Sequence, residues 1–207
     1  MVMPNSAVRA MRSNASTIEA RKRRLREIAN LCEGNLRDVD GAIVAWKELL
    51  LTDRSDDHAR QAFARLLERA GKLDDLATHL EEEAQNATDL DTKIAFEKRA
   101  ANLHEQKRSD FAKAGECWAR IARLVPDDDR AIGTAARNFE RAGLLDRAIH
   151  VLSTHSGSVD DPNARGLLFE HLGELRERVE DRKGAAEAFS GAARLLKTPL
   201  LWEKAER

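Results

Sequence analysis

Histidine, cysteine and acidic side chains are the groups of this chain that could do chemistry. Two His one helical turn apart with a Glu between them, as in HExxH, would hold zinc beside a general base, and Cys near His at finger spacing would hold structural zinc. His58, His79, His104, His150, His155 and His171 form no such pattern, and Cys32 and Cys117 lie in no CxxC. There is no glycine-rich phosphate loop, and Gly71 and Gly143 read as turns between helices. The acidic runs Glu81-Glu82-Glu83 and Asp127-Asp128-Asp129 read as solvated faces and as helix-start carboxylates favoured by the helix dipole. The sequence therefore predicts no enzyme, no metal and no cofactor. Two isolated thiols read as small buried apolar groups and fit a reducing compartment. With no apolar secretory core at the N-terminus, the expected location is the cytoplasm.

Bulk charge excludes further classes. Lys+Arg 35 against Asp+Glu 36 gives a net charge of −1, so nothing draws the chain to nucleic acid or an anionic membrane. No apolar run approaches the ~18 residues of a membrane span. The basic run Arg21-Lys22-Arg23-Arg24, with Arg26, has no aromatic residues to stack bases, and Glu19 and Glu27 flank it, so it reads as a solvated face.

The elements that must carry these groups are helices. Charged residues make up 34% of the chain and aromatic residues 4%, Tyr is absent, and Ala, Leu, Glu and Arg dominate. An internal repeat orders them. Ala59 to Leu80 reads ARQAFARLLERAGKLDDLATHL, and 72 residues later Ala131 to Leu152 reads AIGTAARNFERAGLLDRAIHVL. At the same offset Ala29-Asn30-Leu31 and Glu33 return as Ala101-Asn102-Leu103 and Glu105, and Asp38, Ala42 and Trp46 return as Asp110, Ala114 and Trp118. A repeat of this kind predicts a helical solenoid, each unit touching its neighbours.

Apolar periodicity and breakers place five hairpins at about 17–53, 56–87, 91–125, 128–155 and 162–197, with a terminal helix at 199–207. Leu25, Ile28, Ala29, Leu31 and Cys32 form the apolar stripe of the first helix. Residues 1–16 read as a disordered or loosely ordered leader, and 17–207 as one superhelical domain. Pro126 stops one helix, and Pro199 suits the first turn of the last.

These hairpins resemble the tetratricopeptide repeat, of the tandem kind found in bacteria. The fifth carries Phe169-x2-Leu172-Gly173 and then Ala185-x3-Phe189-x2-Ala192, the family's spacing. The third carries Ala114-x3-Trp118-x2-Ile121 and ends at Pro126, and the fourth carries Ala136 and Ala148-x3-Leu152. The first and third hairpins depart from the pattern by one extra residue between helices, Ala29 to Ala42 and Ala101 to Ala114. The resemblance implies an all-α, right-handed solenoid of about five hairpins plus a C-terminal helical stub. Small Ala42, Ala64, Ala114, Ala136, Ala148, Gly173 and Ala185 would let helix backbones approach, and Trp46, Trp118 and Phe189 would fill the space between hairpins.

The resemblance also implies a use. The first helix of each hairpin would line a concave groove, and residues four apart on its polar face would be the binding surface. Those residues are Arg26 with Asn30, Arg65 with Arg69, Lys98 with Asn102, and Arg137 with Arg141; the fifth hairpin offers Glu170 and Glu174 instead. The expected function is protein or peptide binding, with acidic groups on the partner. A self-assembling solenoid segment joined through its ends, and a regulatory sensor of a small peptide, are the alternatives.

Overall fold

The computed structural model describes residues 5–34 and 36–206, with side chains from residue 17 onward. Among the described residues there are eleven α-helices and no strand. Two compact units divide the chain, Met1–Leu76 and Ala77–Arg207.

The first unit holds α1 (Asn5–Gly34), α2 (Val39–Thr52) and α3 (Asp57–Arg69). α1 reaches back to Asn5, into the segment expected to be a loose leader; Ala7, Ala10, Met11 and Ala15 are helix formers, and no breaker follows Pro4. Residues 1–4 of that leader lie outside the described residues. Leu25, Ala29 and Cys32 of α1 are buried, at helical spacings of four and three, whereas Ile28 and Leu31 are half exposed. The expected apolar stripe is thus narrower than five residues, because Ile28 and Leu31 both fall on one side of the buried line. Ala42, Ile43, Trp46 and Leu49 of α2 and Ala59, Phe63, Leu66 and Leu67 of α3 complete this buried set.

α4 (Leu73–Asn86) carries the chain into the second unit. There follow α5 (Leu90–Asn102), a π-helical turn Leu103–Lys107, α6 (Phe111–Leu124), α7 (Asp129–Arg141), α8 (Leu145–His155), a 3₁₀ turn Ser156–Ser158, α9 (Pro162–Arg178), α10 (Arg182–Leu196) and α11 (Pro199–Ala205). Ile121, Ile132, Phe139, Leu152, Leu172 and Leu175 lie in one apolar cluster of this unit, and Phe189, Ala192 and Leu201 lie in another.

Aspartates start seven of these helices. Asp38, Asp56, Asp89, Asp110, Asp128, Asp161 and Asp181 each accept a backbone N–H of the helix they precede. Each satisfies an orphan donor of the first turn. Gly71 and Gly143 end the first helices of the doubled stretch with φ of 69° and 75°, and the next residues, Lys72 and Leu144, donate back to Leu67 and Phe139.

The extra residue in the first and third hairpins is taken up the same way in both. Leu36 N–H donates to Leu31 O at 3.0 Å and Arg108 N–H to Leu103 O at 3.2 Å, spans of five residues instead of four. Arg37 and Ser109, again 72 residues apart, then turn the chain with φ of 51° and 53°.

Ala42, Trp46, Ala64, Ala114, Ala136, Ala148, Gly173, Ala185 and Phe189 are buried. Trp118 differs from its equivalent Trp46 in being only partly buried. Trp46 meets the ring of His58 edge-on at 5.2 Å, and the residue equivalent to His58 is the exposed Arg130.

Candidate functional site

The polar face of the first helices was expected to be a basic stripe, and the structure pairs three of its six cations with acids. In the first unit Arg26 donates through Nε and Nη2 to Asp56 Oδ2 at 3.1 and 2.6 Å. Burial works against the ionised Asp56, but the Ala59 N–H and Arg26 outweigh it and hold its carboxyl below the ordinary value. Arg65 pairs with Glu33, while Arg69 is exposed and has no ion partner among the described residues. In the second unit Arg141 donates to Glu105 Oε1 at 3.0 Å and lies over the Phe111 ring at 3.8 Å.

What stays free is smaller and partly uncharged. Lys98 and Asn102 of α5 are exposed and make no hydrogen bond or ion pair among the described residues, and neither does Asn30 of α1. Arg137 of α7 is exposed and donates only to Thr134 Oγ1, one turn earlier, at 3.1 Å. In the fifth hairpin Glu174 accepts from Lys204 Nζ at 3.4 Å. Glu140 is shared by His171 and Arg178; these outweigh its burial and hold its carboxyl below the ordinary value.

The structure also assembles a cluster that the spacing rules had passed over. Glu81 of α4, His104 of the π turn and Cys117 of α6 bring a carboxylate oxygen, a ring nitrogen and a thiol within 4.8 Å of one another. These are zinc-type donors. Their partners argue against a cation, because Arg108 Nη1 lies 3.0 Å from His104 Nδ1 and Arg120 Nη2 donates to Cys117 Sγ at 3.1 Å. A ligating histidine needs an acceptor, not a guanidinium, at its second nitrogen. His104 Nε2 meets Glu81 Oε1 at 3.0 Å, and Arg120 Nε donates to the buried Glu97 at 2.7 Å. Burial, only partly offset by Arg120, pushes the Cys117 thiol up to about 12. The cluster reads as a closed hydrogen-bonded network with an unreactive thiol. Sequence separations of 23 and 13 residues hide it from any linear motif.

Tandem helical hairpins, closely packed at small residues, define an all-α helical repeat protein, tetratricopeptide-like in its hairpins. No family model matches the sequence, and no curated protein matches it. Among solved structures the chain is similar to YrrB, described as "a TPR protein with an unusual peptide-binding site", at 16% identity over 86% of this chain and 88% of that one, TM-score 0.44. It is also similar to the MamA RS-1 ArsTM double mutant, at 18% identity over 86% and 95%, TM-score 0.43. A third is TTC0263, a TPR protein of Thermus thermophilus, at 14% identity over 89% and 97%, TM-score 0.39.

Proposed function

We propose that this chain is a non-enzymatic protein-interaction module, acting in the cytoplasm, that holds an extended partner segment on the polar face of its first helices. The observation that supports the reading is a pair of asparagines. Asn30 and Asn102 occupy equivalent positions, both are exposed, and neither has a partner among the described residues. Asparagine is a poor helix residue because its side chain competes for the backbone. Asn138, by contrast, is buried and donates to Thr134 O at 3.0 Å, so there the fold has a use for it. A free amide offers a donor and an acceptor, which suits an extended backbone. Lys98 and Arg137 of the second unit and, separately, Arg69 of the first are cations without acid partners among the described residues, and on each unit they would draw acidic side chains of a partner. No described helix is long and apolar enough to cross a membrane.

A displayed random-peptide library selected on the full chain tests this. The expected outcome is enrichment of peptides rich in Asp and Glu, whose affinity falls about tenfold or more in an Asn102→Ala, Arg137→Glu variant of unchanged helicity, and falls again with added salt. No enrichment, or equal affinity in the variant, refutes the reading. A second reading, self-association through the C-terminal end, draws on Leu200 and Trp202 of α11, which are 56% and 43% exposed. It predicts a mass that rises with concentration and returns to the monomer in Trp202→Glu.

A further inference from the structure

A different surface of the second unit, on the second helices of its hairpins, carries chemistry that the repeat does not require. Residues of α6, α7 and α8 line a cleft of about 360 Å³, within the ~300–1,000 Å³ range of small-ligand sites. Its floor is apolar, with Phe139 and Val151 buried there. Its rim is basic. Arg123 of α6 and His150 of α8 are exposed and without acid partners among the described residues, and His155 is partly buried at the end of α8.

The remaining charged groups of the wall are already matched. Arg147 of α8 donates to Glu116 Oε1 at 2.7 Å and lies 5.8 Å from the Phe139 ring centroid. Arg120 is held by Glu97 of α5. Arg123 therefore stays uncompensated, with His150 and His155 beside it on the rim. Burial first, then the charge of Arg123 and of His150, lowers the pKa of His155. Arg123 and His150 both disfavour the charged form of His155, and no acid offsets them there.

The first copy of the repeat shows that the scaffold does not need this rim. At the positions equivalent to Arg123, Arg147, His150 and His155 stand Leu51, Asp75, Thr78 and Glu83. The same helix positions carry an apolar, a neutral and two acidic residues there.

From the cleft, its apolar floor and its unmatched basic rim, we infer that it binds a phosphate monoester carried on an aromatic or other apolar body. Arg123 can grip phosphate oxygens with its planar fork, His150 and His155 stand beside it as ring N–H donors, and Phe139 and Val151 receive the body. A dianion, more than a carboxylate, suits one free arginine flanked by two titratable rings. The bound anion offsets the repulsion at His155 and favours its protonation. Affinity then rises as pH falls from about 8 to about 6.5, where the ester, with its second ionisation near ~6, is still mostly dianionic.

The test is a nuclear magnetic resonance titration of the full chain with phenyl phosphate, with benzoate as the monoanionic comparison. The expected result is saturable binding, with shift changes in α6 and α8 and with benzoate weaker by about tenfold or more. Arg123→Gln with His150→Gln, both at exposed positions, lowers affinity about tenfold or more, since the pair removes the guanidinium fork and an imidazole of the rim. Asn102→Ala with Arg137→Glu leaves phenyl phosphate binding unchanged, which separates this site from the first-helix face. A phosphotyrosyl peptide and its unphosphorylated form identify the source: tighter binding of the phosphopeptide than of phenyl phosphate points to a modified protein, and equal binding to a free metabolite. Absence of saturation at millimolar phenyl phosphate, equal binding of benzoate, or indifference to the Arg123 and His150 substitutions overturns the inference.

Discussion

Replacing Gly173 and Gly191 with alanine should move stability in opposite directions. Both residues lie in helices, where glycine costs about 1 kcal/mol relative to alanine. At Gly191 of α10 an added Cβ meets nothing nearer than Phe169 Cδ2 at 3.4 Å, an ordinary contact, so most of the gain is kept. At Gly173 of α9 the same atom would lie 2.6 Å from Cε1 and 2.7 Å from Cδ1 of Phe189, whose ring is fully buried and has nowhere to turn. Overpacking of that kind costs about 1–3 kcal/mol. The expected result is a gain of about 0.5–1 kcal/mol for Gly191→Ala and a net loss of roughly 0–2 kcal/mol for Gly173→Ala. A midrange difference of about 2 kcal/mol corresponds to about 4–8 °C in Tm for a chain of this size. Scanning calorimetry reads both, and Phe189→Leu combined with Gly173→Ala should cost less than the sum of the two. Equal rises in Tm for Gly173→Ala and Gly191→Ala would refute the idea that helix–helix approach depends on glycine at this contact.

Two further outcomes follow from the local geometry. The Asp53 carboxyl is held down to about 2, first by the Ser55 hydroxyl, then by Lys22 and the Ser55 N–H. Because the unfolded chain has the ordinary value near ~3.9, this contribution is fully present above about pH 4 and is lost as pH falls toward about 2. Urea midpoints measured across that window should fall less steeply in Ser55→Ala. Single-tryptophan variants should separate Trp46 from Trp118: Trp46 is 1% exposed and should emit blue and resist acrylamide, while the partly buried Trp118 should emit further to the red and be quenched more.

The hairpins were legible because local rules carry them. Asp38 and Asp110, which return at the 72-residue offset, are N-caps, and Gly71 and Gly143, read as turns, are the left-handed ends that a helix stop needs. The one-residue insertion was visible too, but its consequence was not, since nothing local says whether an extra residue becomes a loop or a five-residue turn. The charged face was legible only as a list of cations. Arg26 finds Asp56 and Arg141 finds Glu105 across helices, and such pairings depend on tertiary distance. The same limit hid the Glu81, His104 and Cys117 network and the cleft at Arg123. For the cleft a weak signal existed, since Arg120 with Arg123, and Arg147 with His150 and Val151, follow helical spacing on two second helices.

The two copies of the repeat weigh differently on the two proposed sites. Positions that build the hairpin agree between copies, as Ala42 with Ala114, Ala64 with Ala136 and Asp56 with Asp128. Exposed charges are free to drift, because each such pair is worth only ~0.2–1 kcal/mol. Glu33 and Glu105 show the drift: the first is paired by Arg65, and the second by Arg141, which is equivalent to Arg69 and not to Arg65. Against that freedom, the agreement of the exposed Asn30 and Asn102 supports the proposed reading, in which the same helix face of each copy would meet a partner segment. The cleft makes the opposite demand. Its basic rim appears in one copy alone, with Leu51, Asp75, Thr78 and Glu83 in the other, so its ligand must be compact enough to need a single hairpin pair.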